Sequence, residues 1–168
     1  SYSPLSGEGS AFSNTAITAS GTGSGSTGGF DLGQDYLAFN GNSSPRYAAL
    51  KAIDSTQFDT ITITAIRGND SNGGEDPDAV NEDLRVWYQI GSAAPVEIGT
   101  IIPTGSGSSG LKDWSLAIPV GAKNAATKFI LRQETHSGSG WDNYGVTEIK
   151  FHLASGALGT TSSAVGIA

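Results

Sequence analysis

Apolar and polar residues alternate through most of this chain with the period of two expected of strands that bury one face. In Thr60-Ile61-Thr62-Ile63-Thr64-Ala65-Ile66, Ile61, Ile63 and Ala65 point one way and three threonines the other. Leu84, Val86, Tyr88 and Ile90 form one face of the next segment, against Arg85, Trp87 and Gln89. Phe129 and Leu131 alternate with Ile130 and Arg132, and Ile149, Phe151 and Leu153 alternate with Glu148, Lys150 and His152. Weaker strands read at Tyr36–Phe39, Arg46–Ile53, Val96–Ile102 and Asp113–Ile118. No stretch carries an apolar period of 3.6. Eight or nine short strands separated by Gly, Pro, Asn and Ser clusters predict an all-β fold, a two-sheet antiparallel β-sandwich of the jelly-roll kind.

Composition bounds the rest. The 168 residues suit one domain with a core of its own. Residues 35–153 read as the sandwich. Residues 1–34 form a Gly/Ser-rich arm with an edge strand near Ala11-Phe12 and Ala16-Ile17, and residues 154–168 form a small, weakly polar tail without a strand pattern. Ser1 reads as a processed start or as a fragment boundary. The net charge of −7 and the lack of a basic stripe argue against nucleic acid as a partner. No apolar run approaches a membrane span, so no membrane insertion is expected. Without cysteine there is no disulfide, thiolate metal site or thiol nucleophile.

One insert breaks the alternation. Asp70 to Asp83 holds six of the sixteen acidic residues, and no Lys or Arg occurs from Gly68 to Leu84. Lying between two strands, it is expected to project from a sheet edge as a loop that is either fully solvated or carries a cation. Asp70, Asn72, Glu75, Asp78, Glu82 and Asp83 could offer the oxygen ligands Ca²⁺ takes, with Gly73-Gly74 letting the backbone turn tightly. The EF-hand spacing fails, because Glu75 stands where its glycine belongs and Asn81 where its glutamate belongs. The alternative is a solvated acidic loop that discourages edge-to-edge aggregation.

Other chemistry finds little purchase. Gly23/Gly25/Gly28 and Gly105/Gly107/Gly110 match a dinucleotide pattern, but no helix follows either. His136 and His152 stand apart, with neither a nucleophile elbow nor zinc spacing around them. Glu134 and Glu148 both face away from the core and are the one carboxylate pair worth weighing for glycoside hydrolysis. Among the aromatics, Trp87 lies on the outward face of its strand and Trp141 in a loop beside Asp142 and Asn143. With Tyr144 they could stack on sugar rings, or they could be covered by a loop or a neighbouring subunit.

Several segments, in order, resemble a known family: Asp35-Tyr36-Leu37-Ala38-Phe39-Asn40-Gly41 with Pro45-Arg46-Tyr47, Asp59-Thr60-Ile61, Gly68 to Glu75 and Glu82-Asp83-Leu84. Phe129 to Gln133, His136-Ser137-Gly138 and Asp142-Asn143-Tyr144-Gly145-Val146 close the series. It is similar to the jelly-roll subrepeats of reelin and to related modules of bacterial surface proteins and marine phage virion proteins. The resemblance covers roughly Asp35 to Leu153 and implies a structural or adhesive module with Ca²⁺ near the sheet edge. Relatives carry an Asp where Thr147 stands here, which leaves the acidic loop or Asp142 to hold any ion. The expectation is therefore a non-enzymatic structural protein of a virion or extracellular surface, holding contacts with protein subunits of its own assembly. The alternative is a carbohydrate-binding adhesion module that meets a host surface glycan through Trp141, Tyr144 and Trp87. No cofactor is required, and Ca²⁺ is the ion its donors suit.

Overall fold

A computed structural model describes residues 30, 32, 36–42, 44–71, 73–107 and 110–154, and the strand backbone of residues 17–18 and 162–166. Alternation does place most of the strands. Among the described residues they are β1 (Ile17–Thr18), β2 (Leu37–Phe39), β3 (Arg46–Leu50), β4 (Phe58–Arg67), β5 (Leu84–Ile90), β6 (Val96–Ile102), β7 (Lys112–Ala117), β8 (Thr127–Gln133), β9 (Tyr144–Leu153) and β10 (Ser162–Gly166). A short 3₁₀ turn at Val120–Ala122 joins β7 to β8. Among the described residues no helix is long and apolar enough to cross a membrane.

The strands form two antiparallel sheets. One runs β1-β3-β8-β5-β6 and the other β10-β9-β4-β7, with β2 also paired to β9. Taken over β2 to β9, the orders β2-β9-β4-β7 and β3-β8-β5-β6 are those of a jelly roll. Between the sheets lie the predicted inward faces: Ile61, Ile63, Ala65, Leu84, Val86, Phe129, Leu131, Ile149 and Phe151, all fully buried. The Phe129 and Phe151 rings meet at 5.0 Å across the gap. Tyr88 is only half-buried because it lies at the rim, its hydroxyl 2.8 Å from where a Cβ on Gly121 would stand. A smaller apolar cluster of Phe30, Tyr36, Ala38 and Ile66 packs apart from the main core, and it includes a residue of the expected arm.

Two expectations change. The tail carries strand β10, which extends the β9 edge beyond β2. Main-chain pairing on an open edge needs no apolar alternation, so the pattern gave no sign of it. The acidic insert does not project from a sheet edge either. It joins β4 to β5, which are interior strands of different sheets, and so crosses the end of the sandwich. Within it Asp76, Glu82 and Asp83 are buried, so the fully solvated loop is excluded as well.

Candidate cation site at the loop end of the sandwich

Jelly-roll topology brings the β2–β3, β4–β5, β6–β7 and β8–β9 loops to one end, and main-chain bonds tie them together. Gly68 N–H donates to Asn143 O and Gly140 N–H to Asn40 O. Thr135 N–H donates to Asn81 O, and Gly105 N–H to Pro77 O.

Arg46 lies at the centre of this end and has no solvent exposure. It shares a face with Ala48 and Leu50, so the strand period itself turns it inward. Its Nε donates to Gly41 O at 2.8 Å and its Nη2 to Gly138 O at 2.8 Å. Nη1 reaches Trp141 O at 2.8 Å, Gln133 Oε1 at 2.9 Å, Asp142 O at 3.1 Å and Phe39 O at 3.2 Å. Burial lowers its pKa to about 10, against the raising charges of Asp142, Glu82 and Glu75, so it stays cationic at neutral pH. Gln133, directly opposite Arg46 in the ladder, gives its amide Nε2 to Glu82 O and Asp142 O.

The carboxylates of this end form two groups, and Asp142, Glu82 and Glu75 among them act on the Arg46 charge. Oxygens of Asp78, Glu82 and Asp142 lie within 4.8 Å of one another, as do those of Asp70, Glu75 and Asp76. Asp142 is buried in a left-handed conformation (φ 57°), and Asp70 has φ 66°. Backbone N–H groups hold several oxygens in place: Asp142 N–H on Glu75 Oε2 at 2.6 Å, Ala79 N–H on Glu82 Oε2 at 2.7 Å, and Ser137 N–H on Asp142 Oδ2. Asn143 bridges as well, its Oδ1 accepting from Glu75 N–H at 2.8 Å. Burial pushes Glu75 up to about 7; the Asp142 N–H opposes that, and the Asp142 charge adds to it. Burial likewise raises Glu82, and raises Asp76 together with the charges of Asp70 and Asp78.

These donors fit a hard divalent cation. Two oxygens on one Ca²⁺ lie about 3–5 Å apart, given bonds of about 2.3–2.6 Å. Asp78 and the second oxygens of Asp142 and Glu75 accept none of the hydrogen bonds described above.

The proposed ligands separate accordingly. Asp70, Glu75, Asp78, Glu82 and Asp142 come together, joined by Asp76, while Asn72 falls outside the described residues. Asp83 is a correction: it faces the other way, pairing with Arg85 Nε at 3.0 Å and accepting from Thr100. Burial would raise its pKa, but those bonds outweigh burial and hold it below the ordinary value. Thr147 is buried, with its hydroxyl donating to Thr64 O at 3.1 Å.

The aromatic candidates do not form one platform. Tyr144 is fully buried and its hydroxyl donates to Glu82 O at 3.0 Å, so it cannot stack on a sugar. Trp87 is half-buried, with the Arg132 guanidinium 4.7 Å above its ring. Strand pairing puts the two side chains on one sheet face, so no loop is needed to cover it. Trp141 is 53% exposed and stands alone of the three. Glu134 pairs with Arg132 at the end of β8 and Glu148 with Lys150 on β9, so the hydrolytic pair is split between sheets. Sequence reasoning missed Arg46, Gln133 and Asp76. The first two stood at inward positions of their strands, which was the available signal.

No family model matches the chain, and no curated protein matches it. Among solved structures, the chain is similar to one titled "Crystal structure of Agl-KA catalytic domain", with a TM-score of 0.42 and 16% identity. The match covers 94% of this chain and 30% of that one, so the chain spans less than a third of that protein. Nothing about activity transfers at that level of likeness.

Proposed function

We propose that this chain is a non-enzymatic structural module of a virion or extracellular assembly, a jelly roll whose loop end is fastened by Arg46 and a divalent cation. Its work in this reading is to hold contacts with protein subunits of the same assembly. The observation that carries it is the use of the buried polar groups. Arg46, Gln133, Glu82, Asp142 and Asn143 all bond to loop backbone or to one another, which locks loops together. The reelin-like segments of the sequence agree with such a role. Ca²⁺ fits because the six carboxylates outnumber the Arg46 guanidinium whose charge acts on Asp142, Glu82 and Glu75.

Two measurements test the parts separately. Thermal melts in EDTA and in millimolar Ca²⁺ should differ by several degrees, and the difference should vanish in Asp142→Asn; equal melts would remove the ion. Light scattering across a concentration series should show self-association, and a monomer throughout would remove the assembly role. A carbohydrate-binding adhesion module is the second reading, favoured by the exposure of Trp141. Glycan binding lost in Trp141→Ala would establish it.

A further inference from the structure

The outward face of the β3-β8-β5 sheet carries a groove of about 370 Å³, lined by Tyr47, Gln89, Pro95, Lys128, Ile130 and Arg132, with Ala49 in its floor. The ladder fixes its layout. Tyr47 stands opposite Arg132, Ala49 opposite Ile130, and Gln89 opposite Lys128. Lys128 and Arg132 are four residues apart on β8, so their Cα atoms sit roughly 13 Å apart with Ile130 between them.

The lining is unusual for this chain. The protein carries a net charge of −7, yet the groove holds two cations and no carboxylate. Arg132 is pinned, its guanidinium over Trp87 at 4.7 Å and its Nε 2.6 Å from Glu134 just outside. Lys128 and the Tyr47 hydroxyl have no hydrogen-bond or ion-pair partner among the described residues. Gln89 gives its Nε2 to Ala93 O at 2.9 Å, which leaves its carbonyl oxygen facing no described donor. The groove thus combines an apolar floor, one phenol ring with a free hydroxyl, an amide oxygen and an uncompensated ammonium.

We propose that this groove binds an acidic oligosaccharide, with a uronate carboxylate against Lys128 and a sugar ring over Tyr47 and Ile130. The volume matches a small-ligand site. Sugar rings present an apolar face to an aromatic or aliphatic floor and hydroxyls at their edge, which Tyr47 and Gln89 can meet. The charge of Lys128 selects a carboxylate over a neutral ring. The length of β8 that the groove spans, from Lys128 to Arg132, favours a chain of two or more sugars over a single one. This site is separate from the loop end and from Trp141, and it stands whether or not the chain is an assembly module.

Calorimetry or NMR titration of the full chain with a tetramer of galacturonic acid tests it, with a neutral tetramer of similar size and sodium acetate as controls. The charged tetramer should bind, should weaken with added salt, and should lose at least tenfold in affinity in Lys128→Ala and in Tyr47→Ala. Both variants lie on a solvated face, and their unchanged melting would show that the fold survives. Trp141→Ala should leave this binding as it was. Equal binding of the neutral tetramer, acetate matching the tetramer, or Lys128→Ala without effect would each overturn the proposal. So would the absence of saccharide binding with a groove variant that changes only the oligomeric state, because the groove would then be a subunit contact.

Discussion

Replacing Arg46 by Met removes the cation at the centre of the loop end while keeping much of its length. Six acceptors lose a donor at once: the carbonyls of Phe39, Gly41, Gly138, Trp141 and Asp142, and Gln133 Oε1. A buried acceptor left without a partner costs about 1–3 kcal/mol, but such losses do not add when the groups share one donor and can relax together. Removing one partner of a buried charged network costs about 3–5 kcal/mol. Here Glu82, Asp142 and Glu75 would also lose a compensating charge. We expect a loss of about 3–5 kcal/mol, which for a domain of this size lowers Tm by roughly 6–20 °C. Urea or guanidinium denaturation followed by far-UV circular dichroism measures it, provided the m-value is unchanged. Arg46→Lys should recover only part, because an ammonium has three donors and no planar fork. A loss below about 1 kcal/mol in Arg46→Met would refute the reasoning, since solvent or backbone relaxation would then be replacing the guanidinium.

Other consequences follow from the same geometry. The folded pKa of Glu75, near 7, lies above its ordinary 4.5, so the folded state holds a proton that the unfolded chain gives up between those values. Stability in EDTA should therefore fall as pH rises from about 4.5 through 7, and Glu75→Gln should flatten that part of a Tm-against-pH curve. A Cβ on Gly68 would stand 2.1 Å from the Glu75 carbonyl oxygen, so Gly68→Ala must displace the acidic loop. It should cost about 1–3 kcal/mol by denaturation and weaken any Ca²⁺-induced rise in Tm. Tyr144→Phe removes the buried hydroxyl that reaches Glu82 O, with an expected loss of about 1 kcal/mol. Glycan binding, if present, should not change in that variant, and a loss would return Tyr144 to the list of ligand-contacting residues.

The sandwich was legible because burial on one face of a strand writes itself into every second residue. Ile61-Ile63-Ala65 and Phe129-Leu131 carry that record without ambiguity, and both sets are fully buried. β6 is found over the predicted span, Val96–Ile102, although its first residues are exposed. The site was only half legible. Acidic density announced Asp70, Glu75, Asp78 and Glu82, but it could not separate them from Asp83, which a neighbouring Arg85 turns aside. Tyr144 looked like a loop aromatic and proves to be the first residue of β9, with its ring in the core.

The sequence by itself determined the strands, their inward faces and the all-β class, since these depend on the solvent preference of each side chain and on a local period. It also determined that the β4–β5 segment is acidic, with no Lys or Arg from Gly68 to Leu84. Tertiary structure alone decided that this segment crosses the end of the sandwich, meets Asp142, more than sixty residues away, and lies within reach of the Arg46 charge. It likewise decided that Tyr47, Lys128 and Gln89 share a groove. Those encounters come from the register and order of strands distant in sequence, where each pairing depends on many weak contacts made together and none leaves a mark on its own residues.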